Sequence, residues 1–149
     1  MRSIKKRIIG ANGQSMVELA LATPILVLLL MAGVDMGRLF YTTITANCAA
    51  RAGVQYGAQS LITASDDIGM QNAAAQDAQD ISGMTVKSKH YCQCQDGTNV
   101  QCGDGFCAGQ QIVFVQVDTN LTFKPMTKVP GISSAVAVNG TAIRRVQAR

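Results

Sequence analysis

The sequence predicts an α+β chain: one long N-terminal helix, then a small antiparallel-sheet head with a disulfide-stapled loop. Three observations carry this. Leu19 to Val34 are sixteen consecutive residues without a charge. Gln111 to Phe123 alternates apolar and polar side chains with the period of a strand. Four cysteines, Cys92, Cys94, Cys102 and Cys107, crowd into one stretch rich in Gly, Asp and Gln. With 149 residues, 48% apolar and 15% charged, the chain fits one domain with an appended helix, and wholesale disorder is excluded.

The net charge of +4 is unevenly spread. Arg2, Lys5, Lys6 and Arg7 lie in residues 1–13 with no acid among them, and beyond Gly13 bases and acids balance. The basicity is therefore a local leader, and no nucleic-acid partner is predicted.

As a helix, Leu19–Val34 would be about 24 Å long at ~1.5 Å per residue. That is slightly short of the ~20 residues typical of a span, a deficit that tilt and the flanking residues make up. The run has no polar face, as a soluble core helix would, so it reads as a membrane segment covering about residues 16–40. The basic leader should stay in the cytoplasm and everything after Asp35 should face outward. No small-residue cleavage site follows the run, as a conventional signal peptide requires. Cys48 follows Asn47 well past it, which excludes a lipoprotein signal. Cleavage before the run remains, at Gly13-Gln14, with the basic leader upstream.

A glycine closing a short basic leader, with glutamate (Glu18) as the fifth residue of a long apolar helix, is the prepilin pattern. The wider run Gly13-Gln-Ser-Met-Val-Glu18-Leu-Ala-Leu, Pro24, Gly33-Val-Asp35-Met-Gly37-Arg38 and Ala49-Ala-Arg51-Ala-Gly53 resembles the TadE-like family of the tight-adherence (type IVc) pilus machinery. The likeness is densest from Gly13 to Gly57, and looser at Phe123-Lys-Pro125 and Ala142–Val146. Leu19 stands where many relatives have an aromatic, which an aliphatic side chain can replace at a buried position. The resemblance implies a non-enzymatic pilin or pseudopilin of lollipop shape, without cofactor. It further implies leader removal by a prepilin peptidase, and partners comprising membrane lipid, an assembly platform with its ATPase, and other pilin subunits. The subunit would sit in the inner membrane before assembly and in a cell-surface filament afterwards.

Physical chemistry supports a special role for Glu18, since a carboxylate in an apolar helix costs several kcal/mol (roughly) unless it is satisfied. Cleavage after Gly13 would leave a terminal amine on Gln14 about one turn away. By the resemblance, Glu18 pairs with such an amine on a neighbouring subunit and sets the helix register. The bland alternative is a solvated glutamate at the headgroup boundary. Gly13 suits close approach by a peptidase, or is a linker. Pro24 removes one helical hydrogen bond and should kink or loosen the helix. Gly33 and Gly37, four apart, have the spacing that lets helices approach closely in lipid. Asp35 and Arg38 can pair on one helix face, or be a solvated interface pair.

The helix should continue to about Ser60, roughly 70 Å in all, with Ile44, Cys48, Ala52 and Tyr56 or Gln55 as its docking face. The head, residues 61–149, would hold a second short helix over Met70–Ile81 and three strands over Thr85–Cys92, Gln111–Phe123 and Ala135–Val146, with breaks at Pro125 and Pro130-Gly131. Cys-x-Cys-x7-Cys-x4-Cys lacks the two Cys-x2-Cys arms of a zinc knuckle, and in an oxidising compartment two disulfides are the expectation, with no metal. Cys92 and Cys94 make poor partners for each other. This leaves Cys92–Cys102 with Cys94–Cys107, or Cys92–Cys107 with Cys94–Cys102, while Cys48 is an odd thiol expected in a buried helix face, or else paired with the head. Turns are expected at Asp96-Gly97 and Asp104-Gly105. His90, the lone histidine, reads as strand surface, and Asn120 and Asn139 head glycosylation-type sequons that also fit as strand residues. Two rival classes are a resident single-pass protein with an oxidised interaction loop, and a thiol-redox module using Cys92-Gln-Cys94.

Overall fold

A computed structural model of the chain describes residues 13–103, 107, 109–127 and 134–146. The leader upstream of Gly13, the Asp104-Gly105 turn and the Pro130-Gly131 break lie outside the described residues. Helix α1 spans Gln14–Gly57 without interruption and contains Pro24. Short-chain hydroxyls along it turn back onto the preceding turn: Thr23 donates to the Leu19 carbonyl at 2.6 Å and Thr42 to that of Arg38 at 2.6 Å. Each hydroxyl is thereby satisfied without a partner from outside the helix.

Past Gly57 the chain reverses. Ser60 and Thr63 form a reciprocal capping box that starts the one-turn helix α2, Leu61–Ala64. The Asp66 side chain then accepts from the Gly69 N–H at 2.9 Å and caps α3, Asp67–Asp77. This cap moves the second helix three residues upstream of its expected start at Met70. At the other end Ala78 leaves helical backbone angles, so Ile81 belongs to the connection into the sheet.

The head is an antiparallel sheet of β1 (Thr85–Gln93), β2 (Asn99–Val100), β3 (Ile112–Phe123) and β4 (Val136–Arg145), in the order β2-β1-β3-β4. The three expected strands are present. The fourth is a two-residue strand from the cysteine loop that folds back on Cys92 and Gln93. On β3 the alternation read from sequence holds: Val115, Val117, Thr119, Leu121 and Phe123 are buried. Helices α1 and α3 cover that face.

The helix face that docks matches the expected one only in part: Ala52 and Tyr56 are half-buried, Tyr56 against the core. Ala46, Ala49, Ala50, Gly53, Val54 and Gly57 are buried, whereas Ile44, Cys48 and Gln55 are exposed. The small residues win because the helix axis lies close against the sheet. A Cβ on Gly53 would stand 2.9 Å from the Met70 carbonyl oxygen and 3.0 Å from a Val117 methyl. One on Gly140 of β4 would stand 2.7 Å from the Ala46 carbonyl oxygen. Thr119, fully buried, closes this contact by donating to Ala46 at 2.9 Å across the helix–sheet boundary.

Candidate assembly helix and its junction with the head

Helix α1 has two different halves. From Met16 to Val34 its residues are exposed, Leu19, Leu21, Ile25, Leu28, Leu29 and Leu30 among them. From Ala46 onwards its inner face is core. Among the described residues it is the helix long and apolar enough to cross a membrane. So large an apolar surface is not left to water in a stable soluble chain, and the helix suggests a membrane anchor.

At the lower end Gly13 occupies the position before the first helical residue, and no side chain caps the helix. Gln14 and Glu18 lie one turn apart, with the Gln14 amide nitrogen 3.4 Å from Glu18 Oε1. Both are exposed. Gly33 and Gly37 also face open space, with nothing within 4 Å of where a Cβ would stand. The intramolecular fold thus leaves Gly13, Gln14, Glu18, Pro24, Gly33 and Gly37 unused by the head.

Asp35 has a role that the sequence reading missed. Rather than a solvated interface residue, it is buried. Its carboxylate accepts from the backbone N–H groups of Met126 and Thr127, each at 3.0 Å, and from the Thr127 hydroxyl at 2.5 Å. Arg38 approaches at 3.6 Å, and its guanidinium lies 5.6 Å over the Phe123 ring. The carboxylate therefore ties the segment after β3 to α1 one residue beyond the uncharged run. Two signals pointed here: a lone acid bordering that run, and Phe123-Lys-Pro125 appearing in the family likeness. A second tie lies one turn above Arg38, where the Tyr41 hydroxyl donates to Asp80.

The cysteine loop resolves to Cys92–Cys102, with Cα atoms 5.1 Å apart, and Cys94–Cys107, at 5.5 Å. This selects one of the two pairings left open and leaves no Cys92–Cys94 bridge for a redox module. The Asp96-Gly97 turn closes with Gly97 N–H donating to Cys94 and Thr98 N–H to Asp96. That bond holds the Asp96 carboxyl below its ordinary pKa. Cys48 is exposed on α1, against the expectation of a buried thiol. His90 is on exposed strand surface, and Asn120 and Asn139 face each other across β3 and β4, both exposed.

A bare apolar helix that becomes the spine of a small antiparallel sheet, with a doubly stapled loop, fits an α+β pilin-like fold. Residues 13–55 match the family model described as TadE-like protein, so this stretch of the chain is similar to the TadE-like proteins. The matched stretch is α1 almost in full and none of the sheet. No curated protein and no solved structure matches the chain.

Proposed function

We propose that this chain is a structural pilin or pseudopilin subunit of tight-adherence pilus or related secretion machinery. The likeness of residues 13–55 to the TadE-like proteins supports a pilus-associated, structural role. The finer reading rests on one observation: the apolar half of α1 is exposed along its whole length while the other half is inseparable from the head. Such a helix needs lipid or other helices around it. In this reading a membrane peptidase removes residues 1–13 between Gly13 and Gln14. The assembly platform and its ATPase then draw the subunit out of the inner membrane into a filament. Neighbouring helices replace lipid, and Glu18 of one subunit meets the terminal amine of Gln14 in another. In that low-dielectric setting a mis-staggered helix leaves both charges unpaired, at a cost of several kcal/mol (roughly).

Two measurements test this. Intact-mass analysis of the membrane-expressed chain should show loss of residues 1–13, and Gly13→Val should accumulate the longer precursor. Glu18→Ala should still be cleaved but enter sheared filaments at least tenfold less than wild type, on the scale of an unpaired buried charge. Wild-type incorporation of the cleaved variant removes the register role. An intact leader on a subunit never found in filaments favours a resident single-pass protein instead.

A further inference from the structure

Just above the Asp35 junction the head and α1 do not close on each other. A cleft of about 930 Å³ lies there, walled by α1 at Gly37–Thr42, by the turn at Asp80–Gly83, and by the lower ends of β3 and β4. It exists because β1 begins at Thr85 opposite Asn120, while β3 runs three residues further, to Phe123, with only β4 beside it. Its volume is that of a small-molecule site.

We propose that this cleft binds the phosphate headgroup of an anionic phospholipid, an inference that rests on α1 being a membrane anchor. Position is the first argument. Gly37 is three residues past Val34, about 4.5 Å along the axis, and the headgroup layer is ~5–8 Å deep on each side of the hydrocarbon. A spanning α1 therefore sets the mouth of the cleft among headgroups on the head's side of the bilayer. Charge is the second. Arg38 and Lys124 both line the cleft, on neighbouring elements. Arg38 is not used up by Asp35: the contact is a single nitrogen at 3.6 Å, and Asp35 is already satisfied by Met126 and Thr127. With its side chain 48% exposed, Arg38 keeps donors for a phosphate, held in place by the Phe123 ring beneath it. The cleft's acid, Asp80, accepts from the Tyr41 hydroxyl. The third argument is the remaining lining: Thr42, Ser82, Asn120, Thr122 and Asn139 offer hydroxyls and amides suited to glycerol or other headgroup oxygens.

The test uses the full chain reconstituted in neutral phosphatidylcholine vesicles with or without phosphatidylglycerol, reading flotation and the lipid co-purifying with the extracted protein by native mass spectrometry. Wild type should float with both vesicles and retain phosphatidylglycerol in preference to phosphatidylcholine. Lys124→Gln should reduce that preference about fivefold, the scale of one cation near an anionic surface, and Arg38→Gln should do the same. Lys89→Gln, an exposed lysine on the sheet away from the cleft, should leave it unchanged. No preference in wild type, or an equal loss with Lys89→Gln, overturns the cleft as a site while leaving the membrane anchor standing. Failure to float with either vesicle overturns the anchor and the proposal with it. Excess inorganic phosphate should displace part of the retained phosphatidylglycerol; retention unchanged by phosphate together with unchanged preference in Arg38→Gln and Lys124→Gln overturns headgroup recognition in the cleft.

Discussion

The Asp35 carboxylate accepts three hydrogen bonds from a segment 91 and 92 residues further along the chain. The acid is well matched to the backbone donors of Met126 and Thr127 just past the end of β3. Asp35→Asn keeps one acceptor oxygen but turns its NH2 donor towards either the Met126 N–H or the Thr127 N–H. It should lower the thermal midpoint of the detergent-solubilised chain and speed amide hydrogen exchange at Met126 and Thr127. Wild-type exchange at both amides would show that the contact does not hold the segment. Thr119 is the complementary case, a buried hydroxyl made acceptable by the Ala46 and Gly140 carbonyls.

At the scale of elements, α3 and the cysteine loop show how short segments are held. The start of α3 depends on Asp66, whose carboxyl is held below its ordinary value by the Gly69 N–H and then by the Tyr56 hydroxyl. The same bond pushes the Tyr56 phenol up. A carboxyl with a depressed native pKa stabilises the fold fully above its unfolded value of 3.8 and loses that contribution as pH falls through the native value. Stability should therefore decline on acidification below about pH 4, and Asp66→Asn should flatten that decline in urea titrations at successive pH values. An equally steep decline in the variant would assign the acid sensitivity to other carboxylates. In the loop, Cys94 and Cys107 are 13 apart in sequence. Closing a loop of that length is worth about 3 kcal/mol. The double variant Cys94→Ser/Cys107→Ser should shift the urea transition by about that amount, and a shift below 1 kcal/mol (about) would mean the loop is held without its staple.

Taken whole, the molecule is built on one helix with two unlike halves. Its lower half exposes an apolar surface that suggests a membrane anchor, and the inner face of its upper half is core of the head. The head cannot be separated from the anchor, because Ala49, Ala50, Gly53 and Val54 of α1 close the sheet's inner face. Gly53→Val puts methyls against the Met70 carbonyl and Val117. It should cost about 1–3 kcal/mol in denaturant unfolding while leaving membrane flotation intact. Unchanged stability would mean that α1 and the sheet part easily.

The long helix, the sixteen-residue uncharged run, the strand alternation of Val115, Val117 and Leu121, and the confinement of disulfides to one loop were all readable in the residues. Each is a local property, set by hydropathy, period 2 or turn chemistry, and needs no knowledge of what lies opposite. The docking face of α1 was not readable, since choosing Ala46–Gly53 over Ile44–Cys48 depends on how near the sheet comes, and near approach favours the smallest side chains over the greasiest. The pairing of Cys92 with Cys102, the two-residue strand β2 and the burial of Asp35 depended likewise on groups far away in sequence. A charge that looks solvated beside a membrane run becomes buried only when a distant loop brings it donors, and that meeting was decided by the tertiary structure.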